Sequence, residues 1–113
     1  MAESLSNKKC KPCEVGTPPL QAKAVGEYIK EVPNWSVMTT VTETKRLHRE
    51  FKFKDFRESI EFVRKVADIA ESEGHHPDIF IFYNIVRLDL WTHNIGGLSE
   101  NDFIIAAKIE KVV

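Results

Sequence analysis

The chain has 113 residues, 42% hydrophobic and 29% charged, which fits one compact domain built around a single core. Sixteen basic and 17 acidic residues leave a net charge of −1, so no global field draws the chain onto phosphate polyanions, and direct nucleic-acid binding is not expected. No apolar run approaches the roughly 18 residues that span a bilayer, so no membrane segment is expected either.

The first stretch, residues 1–19, reads as an irregular, exposed arm ahead of a domain over residues 20–113. It carries both cysteines, Cys10 and Cys13, in KKCKPCEVG. Two neighbouring cysteines are too few and too local for a secreted disulfide framework, which favours a reducing compartment. Structural zinc wants a second ligand pair that is not there, and a redox pair belongs at a helix start after a strand, whereas Pro12 and the lysines around it suggest irregular chain. No apolar signal core is present, and Glu3 and Glu14 do not suit a transit peptide. A cytoplasmic location is expected, although a mitochondrial or plastid presequence already removed would leave the same picture.

Leu20 to Lys30 has a helical composition and is stopped by Pro33 and Asn34. WSVM (35–38) and KRLHREFKF (45–53) read as a hairpin, the second strand placing Leu47, Phe51 and Phe53 on one face and His48, Glu50 and Lys52 on the other. His48 is therefore expected to be a solvated strand residue. Phe56 to Glu73 is the clearest helix, entered by Asp55 with Glu58 three residues on and stopped by Gly74. Its apolar stripe is expected at Phe56, Ile60, Val63, Ala67 and Ala70.

PDIFIFYNIVRLDLWTH then predicts two strands about a turn near Tyr83 and Asn84. Ile79 to Phe82 is apolar on both faces and calls for cover on both, one side from helices and the other from a second subunit. The return strand alternates, with Leu88 and Leu90 opposite Arg87, Asp89, Trp91 and His93. Ser99 and Asp102 open a last helix over about Glu100 to Val112, whose apolar residues suit either an interface or the core. The order α-β-β-α-β-β-α predicts an α+β domain, a four-stranded antiparallel sheet with three helices packed on one face.

Three of the four histidines, His75, His76 and His93, fall at the two ends of one predicted hairpin and can therefore meet. Metal binding is one reading, with Glu71 and Asp102 as further ligands, but adjacent residues in extended chain diverge and no His-x-His or His-x-x-x-His spacing exists. Acid–base work on a small molecule is the second, because an imidazole both accepts and donates protons near neutral pH. Ordinary loop histidines are the third. Glu71 and Glu73 stand in the last turn of the long helix, where its dipole disfavours negative charge, so a carboxylate kept there either has some other use or is simply exposed and screened. Asp102 is well explained by helix capping alone.

ESEGHHP (Glu71 to Pro77), Tyr83, the Thr92-His93 pair and GGLSEND ending at Asp102 together resemble the pterin-4a-carbinolamine dehydratase family. Three residues separate Glu71 from His75-His76-Pro77, five lead to Tyr83, nine to His93 and eight to Asp102, all as in that family. The resemblance extends from about residue 20 to the C-terminus, including Trp35 and FKFKDF (51–56), and the wording of the arm is most similar to plant-type members.

The resemblance implies a hydro-lyase, using neither metal nor organic cofactor, that dehydrates 4a-hydroxytetrahydrobiopterin to quinonoid dihydrobiopterin in tetrahydrobiopterin recycling. It implies His75, His76 and His93 as the catalytic residues, His75 and His93 as the acid–base pair and His76 binding and orienting the pterin with a further role open to it in proton transfer. Glu71 would support the cluster and Asp102 would stand at the pocket edge, with Pro77, Thr92 and Asn94 as further pterin contacts. It also implies a homodimer or homotetramer serving an aromatic amino-acid hydroxylase. Animal members double as dimerisation cofactors of a transcription factor, so an interaction protein with little enzymatic role is the alternative.

Overall fold

The structure, a computed structural model, describes residues 4–12 and 14–113. Cys13, and with it the Cys-x-x-Cys pair, lies outside the described residues, as does Glu3. Helix α1 (Ala22–Ile29) leads into strands β1 (Ser36–Thr39) and β2 (Lys45–Lys52), helix α2 (Phe56–Glu73), strands β3 (Asp78–Phe82) and β4 (Ile85–Leu90), and helix α3 (Glu100–Glu110). The four strands form one antiparallel sheet in the order β1-β2-β4-β3, covered on one face by the three helices.

The register follows from side-chain alternation. Leu47 faces Leu90 and Phe51 faces Val86 across β2 and β4, and with Leu88 they bury the helix-facing side of the sheet. Phe103, Ile104, Ile105, Ala106 and Ile109 of α3 are all buried within one protomer, so the core absorbs the last helix rather than leaving it as an interface. Trp35 closes one end of the core, its indole N–H donating to Glu110 at 2.9 Å.

Helix α2 begins and ends as its local chemistry dictates. The Asp55 carboxylate accepts from the Glu58 N–H at 2.9 Å, and Gly74 takes the left-handed φ of 67° that an L side chain rarely adopts. The buried face is rotated from the expected stripe: Ala70 is buried as expected, but Ser59, Phe62 and Val66 are buried with it while Phe56 and Ala67 are exposed. Ser59 escapes a hydrophobicity pattern because its hydroxyl is satisfied locally, donating to the Asp55 carbonyl at 3.2 Å.

Two further expectations change. His48 is not simply solvated: its Nδ1 lies 2.8 Å from the buried Asp89 carboxylate, which also accepts from Arg87. Burial pushes the Asp89 carboxyl up, but the hydrogen bonds from Arg87 and His48 outweigh it and hold the group below its ordinary range. The arm is not free either, since Leu5 is 2% exposed within the core and Lys108 Nζ donates to the Ser6 carbonyl at 2.9 Å.

Strand β3 lies at the sheet edge beside β4, and its apolar residues Ile79, Phe80, Ile81 and Phe82 remain exposed. Neither face is fully covered by the protomer itself. The two-residue turn to β4 places Tyr83 at φ 56°, stacked near Phe56 with ring centroids 6.5 Å apart.

The corrected face of α2 is open to test by urea denaturation. Phe62→Ala should lower the unfolding free energy by about 3–5 kcal/mol, because it leaves a cavity, while Phe56→Ala should cost less than about 1 kcal/mol. Equal losses would return the buried stripe to the Phe56 side.

Candidate active site

The site forms where three chain segments meet: the end of α2, the end of β4 and the first turn of α3. Gly74 ends α2, its N–H and that of His75 both reaching the Ala70 carbonyl, at 2.8 and 3.2 Å. The chain then runs extended through His75, His76 and the buried Pro77 into β3, so the two imidazoles diverge. His75 Nε2 lies 2.6 Å from Asp102 Oδ1, on α3. His76 Nε2 turns back to Glu71 Oε2 at 2.5 Å, in an exposed pair.

Asp102 is fully buried and performs two tasks. It forms a capping box with Ser99, whose N–H donates to Oδ2 at 2.9 Å, and the Thr92 hydroxyl donates to the same oxygen at 2.9 Å. The other oxygen is left for His75. A carboxylate accepting from Nε2 keeps the proton there in the neutral ring, which leaves Nδ1 as the basic nitrogen.

His93 departs from the strand position expected for it. Beyond β4 the Thr92 N–H bonds to the Gly97 carbonyl at 2.8 Å, and His93–Ile95 form a 3₁₀ turn. Gly97 is required where it stands: a Cβ there would lie 2.7 Å from Pro19 Cβ. The exposed His93 ring rests on Trp91, centroids 3.9 Å apart. Trp91 is itself fixed by its indole N–H to Asp78 Oδ2 at 3.2 Å and by the Arg46 guanidinium 4.5 Å from the ring.

His75, His76, Pro77, Thr92, His93 and Asn94 all line one cavity of about 640 Å³, within the range that holds a bicyclic small molecule. Glu71 and Asp102 are not among the lining residues; Asp102 stands behind His75, and Tyr83 lies at the far end of β3. Cys10, Lys11, Pro12, Trp91 and Asn101 line it as well, and sequence reasoning assigned none of them to the site. Only Trp91 carried a signal, the two-residue spacing that puts it on the His93 side. Among the described residues, no group of three or more His, Cys, Asp or Glu side chains is arranged to hold a metal ion.

The two carboxylates at the end of α2 both have partners. Glu71 receives His76, and Glu73 accepts the Cys10 N–H at 2.9 Å with Lys108 Nζ 3.7 Å away. The Cys10 N–H is the largest influence holding the Glu73 carboxyl below its ordinary range, against its burial.

Comparison with known proteins shows the family. The family described as Pterin 4 alpha carbinolamine dehydratase matches residues 18–112. A Rickettsia bellii protein named provisionally as a pterin-4-alpha-carbinolamine dehydratase is 47% identical over 107 residues, 95% of this chain and 92% of its own. The Arabidopsis thaliana protein named pterin-4-alpha-carbinolamine dehydratase 2, mitochondrial, is 43% identical over 96% of this chain and 58% of its own. Among solved structures, a transcriptional coactivator/pterin dehydratase from Brucella melitensis superposes with a TM-score of 0.74 at 32% identity, over 83% of this chain and 97% of its own. A pterin dehydratase-like RuBisCO assembly factor of the alpha-carboxysome shares the fold, with a TM-score of 0.58 at 20% identity over 70% of this chain and 88% of its own.

The Asp102 contact predicts a tautomer. Nitrogen-15 spectra of the neutral imidazoles should show His75 almost wholly protonated on Nε2, and Asp102→Asn should release the other tautomer. Glu71→Gln should shift the exposed His76 far less. A mixed tautomer population for His75 in the wild type would refute the assigned hydrogen bond.

Proposed function

The chain belongs to the pterin 4 alpha carbinolamine dehydratase family, and we propose that it removes water from 4a-hydroxytetrahydrobiopterin to give quinonoid dihydrobiopterin. The observation that carries this reading is the His75–Asp102 pair, opening with His76 and His93 onto one cavity of suitable size. The reaction breaks the C4a–O bond and the N5–H bond and forms the C4a=N5 double bond, with water as the leaving molecule. It needs one group to accept the N5 proton and one to protonate the departing hydroxyl.

His75 suits the base. Its Nδ1 takes the proton, and the buried Asp102 carboxylate behind it stabilises the resulting imidazolium while holding the ring in place. His93 suits the acid, being exposed on the cavity wall and oriented by its stacking on Trp91. His76, braced by Glu71, orients the pterin ring together with Pro77, Thr92 and Asn94. No electron changes hands, so these side chains supply all the chemistry that the step requires.

The physiological role that fits this chemistry is recycling of tetrahydrobiopterin for an aromatic amino-acid hydroxylase. No helix among the described residues is long and apolar enough to cross a membrane, and the Arabidopsis relative named mitochondrial makes an organelle as suitable a location as the cytoplasm. A second reading, assembly onto itself or another protein, is favoured by the exposed apolar edge strand Ile79 to Phe82. We read that strand as the homo-oligomer contact, leaving the histidines to catalysis.

Dehydration of 4a-hydroxytetrahydrobiopterin should run above the spontaneous rate with wild-type protein, and His75→Ala and His93→Ala should each lose roughly 10²- to 10⁴-fold in kcat. His93 is exposed, so its variant keeps the fold and isolates the chemistry. No catalysis by the wild type, or full activity in both variants, would leave the assembly reading in its place.

A further inference from the structure

We propose that the arm segment Cys10 to Pro12 forms a fixed wall of the pterin pocket, and that Asn101 is the positioning residue that keeps it there. The inference rests on the dehydratase reading of the cavity and extends it to substrate selection. The segment lies outside residues 18–112, which the family description covers.

The attachment is built from backbone groups and buried partners. Asn101 is 6% exposed, and its side-chain amide bonds both polar groups of one arm residue: Oδ1 accepts the Lys11 N–H at 2.9 Å, and Nδ2 donates to the Lys11 carbonyl at 2.6 Å. In this it imitates a neighbouring strand, which alanine cannot do and aspartate does only by half. One residue earlier, the Cys10 N–H donates to Glu73 at 2.9 Å, and Lys8 Nζ pairs with Glu100 at 2.8 Å. The cost of placing the Glu73 charge at the C-terminus of α2 is offset by this N–H and by Lys108.

The two anchors straddle the catalytic pair. Glu73 is two residues before His75, and Asn101 is the residue before Asp102. The arm therefore bridges the elements that carry the two ends of the His75–Asp102 hydrogen bond, and Cys10, Lys11 and Pro12 line the same cavity as His75 and His93. A wall that takes no part in the assigned proton transfers touches substrate and transition state alike, so its contribution falls on binding rather than on turnover. It should discriminate among pterins by the size of their ring substituents.

Steady-state kinetics of Asn101→Ala with 4a-hydroxytetrahydrobiopterin and with the smaller 4a-hydroxy-6-methyltetrahydropterin test this. The expected result is a KM raised about tenfold for the biopterin substrate with kcat changed less than about twofold, and a narrower kcat/KM ratio between the two substrates. Hydrogen exchange on the wild type supplies an independent readout: 7,8-dihydrobiopterin should slow exchange of the Cys10 and Lys11 amides. An active wild type whose KM is unchanged in the variant, or whose arm amides ignore the ligand, overturns the inference alone. A wild type without dehydratase activity overturns the pterin reading and this inference with it.

Discussion

The site depends on one buried carboxylate. Asp102 lies out of contact with water and accepts hydrogen bonds from the His75 ring, the Thr92 hydroxyl and the Ser99 N–H. Those three donors belong to the end of α2, the end of β4 and the cap of α3, so a single side chain ties together the segments that carry the cavity's histidines. A buried charge is tolerated only where its hydrogen-bonding capacity is filled, which makes the junction all-or-none. The α3 cap and the His75 contact are two aspects of the same satisfied group.

From that anchor, the three histidines acquire different constraints. His75 has a buried carboxylate behind it, His76 an exposed one, and His93 an aromatic ring beneath it. The sheet beneath provides rigidity, since β4 is central and its inward residues Val86, Leu88 and Leu90 are fully buried. The edge strand β3 carries the exposed apolar surface, at the opposite end of the His75–Phe82 segment from the histidines.

The parts of this arrangement set by short-range chemistry were legible in the residues. Asp55 and Gly74 bounded α2, Ser99 and Asp102 marked the start of α3, and the hairpin about Tyr83 brought His75 and His76 near His93. The parts set by distant partners were not. His48 meets Asp89 only because β2 pairs with β4 in one register, and the arm docks through partners some ninety residues away. The rotation of α2 is hidden from the sequence because Phe56 and Ala67 continue an apolar spacing that the sheet does not use, whereas a serine fills a core position. The role of Asp102 stayed ambiguous because the capping signal was true but incomplete.

The most direct test of this account is a complex with a dihydropterin solved at a resolution that places the ring. The account predicts His75 Nδ1 within hydrogen-bond reach of the pterin N5, roughly 2.6–3.2 Å, with His75 Nε2 still on Asp102 and His93 on the C4a side. A pterin bound elsewhere, or a His75 ring that leaves Asp102 when the ligand arrives, would contradict it.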